Sequence, residues 1–392
     1  MKLSLRNIML AAAVVAVAAP AMAQESVSVK TAWYKVVETP GAESRFGAGF
    51  GGKVYYNDKA NKKVMTVDKD GNVEEYATVE NLSSAITIDD AGNVLVSTGS
   101  PWFNTIKDLV IISAEDKSQK TLTLDINTDN AGVALARTDQ IGRVAGNLLS
   151  EEGAFFFITM SGATTVTTVF VQNGEQAMGD LSYLMSEVGP IAMSTSTCAQ
   201  PLFDFETLVG MGDDARTQGF AYRNRTSQKV YYYDGTEWLT FGAPATKTSS
   251  TEGFDVFTHG EKRYTINPVT MNKGHENAFE IADEDGNTIF NSVTDGGVPV
   301  VCETGSQSFG TYNARQIDEN NYEIYQWYGA ANGKCLAAVY TVNFTQGVSD
   351  VIAADADVAP VYYNLQGVRV ANPANGLYIK VVGEKASKVL VK

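Results

Sequence analysis

The chain has 392 residues, of which 44% are hydrophobic, 19% are charged and 35 are glycines. This composition is that of a globular, turn-rich protein, and it excludes a wholly disordered chain because enough apolar residues are present to form a core. The formal net charge of −15 argues against nucleic acid or an anionic membrane as a partner, since both would repel the chain.

The first 23 residues have the three-part pattern of a secretory signal peptide. Lys2 and Arg6 provide a positive start, residues 8–19 are apolar, and residues 21–23 (Ala-Met-Ala) form a cleavage site. The apolar part is too short to span a bilayer, and no later stretch is long enough. We therefore expect an exported protein that begins at Gln24 and resides at the outer-membrane surface, outside the cell or in the periplasm.

Residues 86–98 give the clearest structural pattern in the chain. Ile86 and Ile88 alternate with polar residues, the segment 89–93 (Asp-Asp-Ala-Gly-Asn) interrupts the pattern, and residues 94–96 (Val-Leu-Val) resume it. Such alternation around a turn rich in Gly, Asn and Asp predicts an antiparallel hairpin, because these residues accept positive φ at low cost.

Similar short runs continue to about residue 344, and amphipathic helical periodicity is nearly absent. Residues 179–188 and 204–210 are the possible helical pieces, in a stretch (172–219) that is either a domain junction or an insertion. Propeller blades of four strands repeat every ~40–50 residues. The spacing therefore predicts an all-β, antiparallel fold, either a five- to seven-bladed β-propeller or one or two β-sandwiches. The paired runs begin near residues 47, 83, 137, 217, 253 and 308.

Residues 85–96 (Ala-Ile-Thr-Ile-Asp-Asp-Ala-Gly-Asn-Val-Leu-Val) resemble the hairpin that repeats once per blade in NHL- and SMP-30-like propellers. Residues 64–73 and 279–289 match the same pattern in part. The resemblance implies a propeller domain over residues 24–346, and it favours the propeller over the sandwiches.

A second resemblance covers about the last thirty residues. Residues 361–370 read Val-Tyr-Tyr-Asn-Leu-Gln-Gly-Val-Arg-Val, residues 376–380 read Gly-Leu-Tyr-Ile-Lys, and residues 388–392 read Lys-Val-Leu-Val-Lys. This segment resembles the C-terminal sorting-type (type IX-like) domain of secreted Bacteroidetes proteins. The resemblance implies a small β module over residues 361–392 that a dedicated secretion machinery recognises. The residues that match the motif are Tyr363, Leu365, Gly367, Arg369, Val370, Gly376 and Tyr378.

The small, acidic segment 347–360 predicts a linker between the two domains. Three strands of about five residues bury too little surface to be stable alone. We therefore expect the C-terminal module to pack against the main domain or to be bound by a receptor.

The three cysteines do not form a disulfide framework, because their density is too low. If one bridge exists, Cys302 and Cys335 are the pair closest in sequence. Three buried thiols, including Cys198, are an equally good interpretation.

No catalytic or metal-binding motif is visible. His259 and His275 are the only histidines, which excludes a His-rich metal centre, and the chain has no Gly-x-Ser-x-Gly elbow, P-loop, CxxC or HExxH. The turns 68–72 and 283–287 contain acids but lack the EF-hand spacing, so they are interpreted as hairpin turns. We expect neither a metal site nor a cofactor.

Aromatic residues are the candidates for ligand binding, since aromatic faces at a propeller mouth could stack on sugar rings. The alternative is ordinary β core, because strands favour Tyr and Trp in any case. The candidate residues are Trp238, Tyr233, Tyr325 and Trp327.

The sequence thus favours an exported or cell-surface binding protein whose ligand is a glycan or a protein. One alternative is a propeller-type hydrolase or lyase acting on an extracellular glycan or small ester, which would need two or three acids with raised pKa in the central funnel. A structural protein would instead have a mouth closed by side chains.

Overall fold

The computed structural model describes residues 25–39, 44–100, 106–125, 140–159, 165–177, 182–184, 199–223, 229–241, 253–269, 277–301, 309–329, 333–346, 360–365, 367–382 and 385–391. It contains two compact units. The larger comprises residues 28–343, and the smaller comprises the described residues up to 27 and from 344 onward. The predicted signal peptide and most of the predicted linker lie outside the described residues, so both stay predictions.

Within the described residues, six small sheets form the larger unit, and the pairs between consecutive strands of each sheet are antiparallel. The N-terminal strand is β1 (Glu25–Glu38). Sheet 1 contains β2 (Gly47–Phe50), β3 (Lys53–Asp58), β4 (Lys63–Val67) and β5 (Val73–Thr78). Sheet 2 contains β6 (Leu82–Ile88), β7 (Val94–Thr98), β8 (Ile106–Ile112) and β9 (Gln119–Asp125). Sheet 3 contains β10 (Ala145–Gly146), β11 (Ala154–Thr159), β12 (Thr165–Gln172), β13 (Glu175–Gln176) and β14 (Ser182–Leu184).

The remaining sheets of this unit have four strands each. Sheet 4 contains β15 (Ala199–Pro201), β16 (Phe220–Arg223), β17 (Val230–Tyr233) and β18 (Trp238–Thr240). Sheet 5 contains β19 (Asp255–His259), β20 (Lys262–Pro268), β21 (Phe279–Asp283) and β22 (Thr288–Asn291). Sheet 6 contains β23 (Phe309–Gln316), β24 (Asn321–Gly329) and β25 (Lys334–Gln346), with β1 beside β25.

The six sheets follow one another in a closed ring. Contacts join β2 to β6, β9 to β13, β11 to β15, β15 to β19 and β19 to β23, and β23 contacts β2 to complete the circle. A ring of radially arranged four-stranded sheets is a β-propeller, and the sheets are therefore blades 1 to 6. The prediction of a five- to seven-bladed propeller is confirmed, and the sandwich alternative is wrong because the sheets surround an axis.

The ring closes by combining the two ends of the propeller chain in one sheet. Blade 6 takes three strands from residues 309–346 and its fourth strand, β1, from the N-terminal segment. Pairing β1 with β25 covers the edge of a strand that would otherwise be exposed.

The hydrophobic core lies between the blades, so most strands are buried on both faces. Val94 and Val96 of β7 pack toward blade 1, whereas Leu95 between them packs toward blade 3. Similar clusters join blades 3 and 4, blades 4 and 5, and blades 6 and 1. Between blades 5 and 6 the packing is aromatic, with Phe279 5.1 Å from Tyr312 between ring centroids.

The predicted hairpin at residues 86–98 is present, with β6 and β7 joined by the turn 89–93. The turns 68–72 and 283–287 have the same construction. In each, Oδ1 of the first Asp accepts the backbone N–H of the Asn four residues later, and Oδ2 accepts that Asn side chain. The carboxylate therefore serves as part of the turn, as the hairpin interpretation requires.

The irregular central stretch contains an insertion in blade 4. Helix α1 (Phe205–Met211) and helix α2 (Ala215–Gln218) lie between β15 and β16, and Oδ1 of Asp204 caps α1 by accepting the N–H of Thr207 at 2.8 Å. The predicted helix at 204–210 is confirmed. The helix at 179–188 is wrong for its described part, because residues 182–184 form strand β14 against β12.

The smaller unit contains a four-stranded antiparallel sheet. Its strands are β26 (Val361–Tyr363), β27 (Arg369–Val370), β28 (Gly376–Val382) and β29 (Lys385–Val391), in the order β27-β26-β28-β29. The turn 364–368 joins β26 to β27, and Oδ1 of Asn364 accepts the N–H of Val368 at 2.9 Å. None of the described side chains of this sheet is fully buried.

Among the described residues, no helix has the length and apolar character needed to cross a membrane. Cys335 is buried, with its Sγ 3.3 Å from Oγ1 of Thr39. Cys198 and Cys302 lie outside the described residues, so the suggested Cys302–Cys335 pair stays a prediction.

Candidate functional site

The first strands of the blades surround the axis of the ring, and buried charged side chains lie within or beside these strands. Arg315 lies on β23, and its guanidinium reaches two other blades. Nε donates to the carbonyl of Gly49 at 3.4 Å, Nη1 donates to Oδ1 of Asp90 at 2.6 Å, and Nη2 donates to the carbonyl of Ile88. Arg315 therefore fastens blade 6 to blades 1 and 2.

Arg143 makes a corresponding set of contacts across the other three blades. It precedes β10 in blade 3, and its Nη2 donates to the carbonyls of Pro201 at 3.1 Å and Val256 at 3.4 Å. Its Nε lies 3.5 Å from Oδ2 of Asp255. Its backbone N–H donates to Oε1 of Gln200 at 2.7 Å. Arg143 therefore fastens blade 3 to blades 4 and 5.

Two carboxylates join these halves of the ring. Oδ2 of Asp255 in blade 5 accepts the N–H of Ala314 in blade 6 at 2.7 Å. Oδ2 of Asp90 in blade 2 accepts the N–H of Gly146 in blade 3 at 2.7 Å, and the N–H of Asp90 donates to the carbonyl of Gly146. The connections thus run through all six blades.

Arg143, Arg315, Asp90 and Asp255 together form what we call the axial charge cluster. The Arg315 side chain is 7% exposed and that of Asp255 is 0% exposed, whereas that of Asp90 is 45% exposed. Burial raises the pKa of Asp255, and the charge of Arg143 opposes this rise. Burial likewise lowers the pKa of Arg315, which Asp90 opposes. Arg143 thus compensates the fully buried charge of Asp255, whereas Asp90 compensates Arg315 while remaining in contact with water.

Asp89, next to the cluster, is a second buried acid. Burial raises its pKa against the effect of its hydrogen bonds. Oδ1 of Asp89 accepts the N–H groups of Ala91 and Asn93. Oδ2 accepts the Asn93 side chain and the N–H of Leu148, both at 2.8 Å. Asp89 therefore builds a turn and joins blade 2 to blade 3.

A propeller-type hydrolase or lyase would need acids with raised pKa in the central funnel. Asp89 and Asp255 have raised pKa values, but their carboxylate oxygens are not accessible. A general acid or base must reach the substrate proton. Both side chains are 0% exposed, and every carboxylate oxygen of the pair accepts at least one N–H group. Their pKa shifts are those of buried structural carboxylates.

Tyr325 and Trp327, two of the predicted ligand-binding residues, lie on β24 between blades 6 and 1. Each is 1% exposed. Trp327 stacks on Tyr56 with ring centroids 4.3 Å apart, and its Nε1 donates to the carbonyl of Ser44 at 2.9 Å. The Tyr325 hydroxyl accepts the N–H of Gly52 at 2.8 Å. These rings belong to the core rather than to an exposed face, as the β-core alternative holds.

Trp238 and Tyr233, the other two predicted residues, lie on the outer strands of blade 4 and are partly exposed. They are directly paired between β17 and β18, and their ring centroids are 5.4 Å apart. Tyr231, two residues before Tyr233, is also partly exposed and faces the same side of the sheet. We call Tyr231, Tyr233 and Trp238 the blade 4 aromatic strip. The structure does not bring it together with Tyr325 and Trp327, which belong to blade 6.

The residues of the predicted sorting-type motif lie in the strands of the C-terminal sheet or in its first turn. Tyr363 ends β26, Arg369 and Val370 form β27, and Gly376 and Tyr378 lie on β28. Leu365 and Gly367 lie in the turn between β26 and β27. Their role in sorting stays a prediction.

No metal site is evident in the part of the chain that the structure describes, where no three His, Cys, Asp or Glu side chains converge. His259 ends β19 and lies edge-on to Tyr322, with ring centroids 5.9 Å apart. His275 lies outside the described residues.

Sequence reasoning missed Arg143, Arg315 and Asp255. Each is a single charged residue within or beside an apolar run, and nothing local distinguishes it from a surface charge. Asp89 and Asp90 are the exception, because the sequence places them in the predicted hairpin turn at residues 89–93. Partners that are more than 100 residues apart, such as Arg315 and Asp90, meet only through ring closure.

No protein-family model matches the chain, and no curated protein matches it either. Among solved structures, it is similar to a catalytically inactive virginiamycin B lyase from Staphylococcus aureus (13% identity, 78% of this chain and 82% of that chain, TM-score 0.37). It is also similar to a gluconolactonase from Xanthomonas campestris (9%, 80% and 89%, TM-score 0.41). A third similarity is to an auxiliary nutrient binding protein from Bacteroides ovatus (8%, 82% and 78%, TM-score 0.42).

With identities below 15% and TM-scores below 0.5, these similarities carry no argument about function. The assignment of a six-bladed β-propeller rests on the sheet order and on the contacts that close the ring.

Proposed function

We propose that the protein is an exported, propeller-type binding protein whose ligand, a glycan or a protein, docks on the blade 4 aromatic strip. One observation carries this proposal: Tyr233 and Trp238 are directly paired rings that stay partly exposed, although Trp238 also packs against the core between blades 3 and 4. Paired aromatic side chains present a large, rigid contact surface at low entropic cost. Asp234 and Glu237, exposed in the turn beside them, can hydrogen-bond ligand hydroxyl or amide groups.

The enzymatic alternative has weaker support. The two axial acids with raised pKa have no accessible oxygen, so neither can serve as a general acid or base for a substrate in a central funnel.

Export and sorting belong to the same proposal. The signal-peptide pattern of residues 1–23 and the sorting-type motif of residues 361–392 support delivery to the outer-membrane surface or the medium. Expression in a Bacteroidetes host, followed by cell fractionation and protease treatment of intact cells, tests this. Accumulation of the full-length chain in the cytoplasm would contradict it.

Binding is tested with the chain from Gln24 to Lys392 on a glycan array, with and without calcium. We expect saturable binding that Tyr233→Ala and Trp238→Ala weaken at least about tenfold, because hot-spot aromatics commonly carry that much affinity. Tyr34→Ala, which removes a ring that is 47% exposed on β1, is the matched control and should leave binding unchanged.

Trp238 also packs on Phe220 and Tyr222, so the melting temperature of each variant is measured alongside binding. Equal loss with Tyr34→Ala would overturn the assignment of the strip. If the array shows no binding, cross-linking to surface proteins of the host decides between a protein ligand and a purely structural role.

A further inference from the structure

The C-terminal segment carries a net positive charge, although the net charge of the whole chain is negative. Five of the 30 basic residues and one of the 45 acidic residues lie in residues 360–392. This segment therefore carries +4, and the rest of the chain carries −19. Because charges more than about 8 Å apart are screened at physiological salt, a partner of the C-terminal sheet responds to the local positive charge.

One face of the C-terminal sheet combines basic and apolar residues. Strand register places Leu377 opposite Leu390, and Lys388 opposite Ile379 on the same face. Arg369 is paired with Tyr363, which is itself paired with Ile379, so it points to that side as well. We call Arg369, Leu377, Lys388 and Leu390 the basic–apolar face. All four side chains are exposed, Leu390 by 64%.

The turn at one end of the sheet extends this apolar surface. Leu365 and Val368 lie in the turn 364–368 and are 58% and 59% exposed. Because Tyr363 pairs with Ile379, the turn lies at the end of the sheet where β28 begins with Gly376 and Leu377. Four exposed aliphatic side chains, from the turn, β28 and β29, are thus gathered at one end.

We propose that the basic–apolar face and this turn bind an anionic lipid surface. A lipid surface offers acyl chains for the aliphatic side chains and negative headgroups for Arg369 and Lys388, without requiring a shaped pocket. A second copy of the same face is a poor partner, because it would bring together two surfaces of like charge. This inference does not depend on the ligand of the propeller.

The test is flotation of the full chain from Gln24 with vesicles of phosphatidylcholine containing 30% phosphatidylglycerol, compared with pure phosphatidylcholine, at about 50 and 300 mM salt. We expect binding to the anionic vesicles alone, and weaker binding at high salt. Lys388→Gln and Arg369→Gln should each reduce the partition coefficient by a factor of about 5, as expected for one basic residue at such a surface.

Leu377→Ser and Leu390→Ser together should reduce the coefficient further, by roughly tenfold, because apolar burial contributes to interfacial binding. Lys380→Gln removes one charge from the opposite face of the sheet and should have a smaller effect than Lys388→Gln. Ile317→Ser, at a 58% exposed position of the propeller, is the apolar control and should have none.

Failure of the unaltered chain to float with anionic vesicles at low salt would overturn the proposal. So would equal effects of Lys380→Gln and Lys388→Gln, or a charge effect without any leucine effect. The last pattern, together with salt-sensitive retention on immobilised polyglutamate, would indicate an acidic protein partner instead.

Discussion

The carboxylate of one turn residue, Asp116, makes the stability of the fold depend on pH. Oδ1 of Asp116 accepts both the N–H and the hydroxyl of Ser118, at 3.0 and 2.7 Å, and these hydrogen bonds lower the pKa of Asp116 to about 2. Between this value and the unfolded value near 3.9, the unfolded state binds more protons, so stability rises with pH. The contribution of Asp116 is therefore complete above pH ~4 and is lost as the pH falls towards 2.

We predict that Asp116→Asn lowers the melting temperature at pH 5–7 and that the difference from the unaltered chain narrows as the pH falls to 3. Melting curves at half-unit intervals measure this. Ser118→Ala, which removes the hydroxyl donor, should weaken the same pH dependence. A difference that stays constant from pH 3 to 7 would show that the carboxylate charge is not involved.

Close approach of two backbones makes Gly253 sensitive to substitution. A Cβ added to Gly253 would lie 2.0 Å from the carbonyl oxygen of Gly310 in blade 6, and a backbone atom cannot rotate away. We predict that Gly253→Ala lowers the free energy of unfolding by roughly 1–3 kcal/mol, the cost of overpacking. Urea unfolding measures it. Gly210→Ala, in α1 with no atom within 4 Å of the new Cβ, should be neutral or slightly stabilising.

Among the elements, β1 has the most unusual role, because it completes a blade whose other strands lie some 300 residues later in the chain. Its inward residue Val37 is 4% exposed and packs in the core between blades 6 and 1. Tyr34 on the same strand is 47% exposed. The strand therefore offers a buried and an exposed position for the same substitution.

We predict that Val37→Asp lowers the free energy of unfolding by roughly 3 kcal/mol, since it buries an unpaired charge at the ring closure, whereas Tyr34→Asp changes it by less than about 0.5 kcal/mol. Urea unfolding and size-exclusion chromatography measure both variants. Similar effects of the two substitutions would mean that β1 does not hold the closure.

At the scale of the whole molecule, the axial charge cluster divides the ring into halves. Arg315 holds blades 6, 1 and 2, and Arg143 holds blades 3, 4 and 5. Removing the Arg315 guanidinium leaves the carbonyls of Gly49 and Ile88 without this donor, whereas Asp90, which is 45% exposed, can be hydrated. We predict that Arg315→Met lowers the free energy of unfolding by about 1–3 kcal/mol, the cost of leaving buried hydrogen-bonding groups unsatisfied.

The two arginines should also be coupled. When Arg315→Met has already removed the contacts among blades 6, 1 and 2, Arg143→Met should lower the free energy of unfolding by less than it does alone. The double variant should therefore be destabilised by less than the sum of the two single variants. A double-mutant cycle in urea measures this. Arg216→Met, which breaks an exposed pair with Asp213, is the control and should cost less than about 1 kcal/mol. Strict additivity would show that the two halves are independent.

Ring packing also explains why the sequence left the aromatic residues of β24 with two interpretations. Alternation in a strand normally separates a buried from a solvated face, so these rings could belong either to an exposed mouth or to the β core. A propeller blade is covered on both faces by its neighbours, so Tyr325 and Trp327 pack against blade 1 while Ile324 and Tyr328 are buried as well. The blade 4 strip is partly exposed because it lies on the outer strands.

The β-strands and the hairpins could be predicted from the sequence, which also favoured a propeller over one or two sandwiches. These features depend on residues within about ten positions of one another: the alternation at Ile86 and Ile88, and the Asp, Gly and Asn of the turn that follows. It also showed the opposite charge of the C-terminal segment. The ring of six blades, its closure by β1, and the pairing of Arg143 and Arg315 with their carboxylates became evident only from the fold. Those contacts join residues 50 to 300 positions apart, and no local pattern encodes which distant charge compensates a buried one.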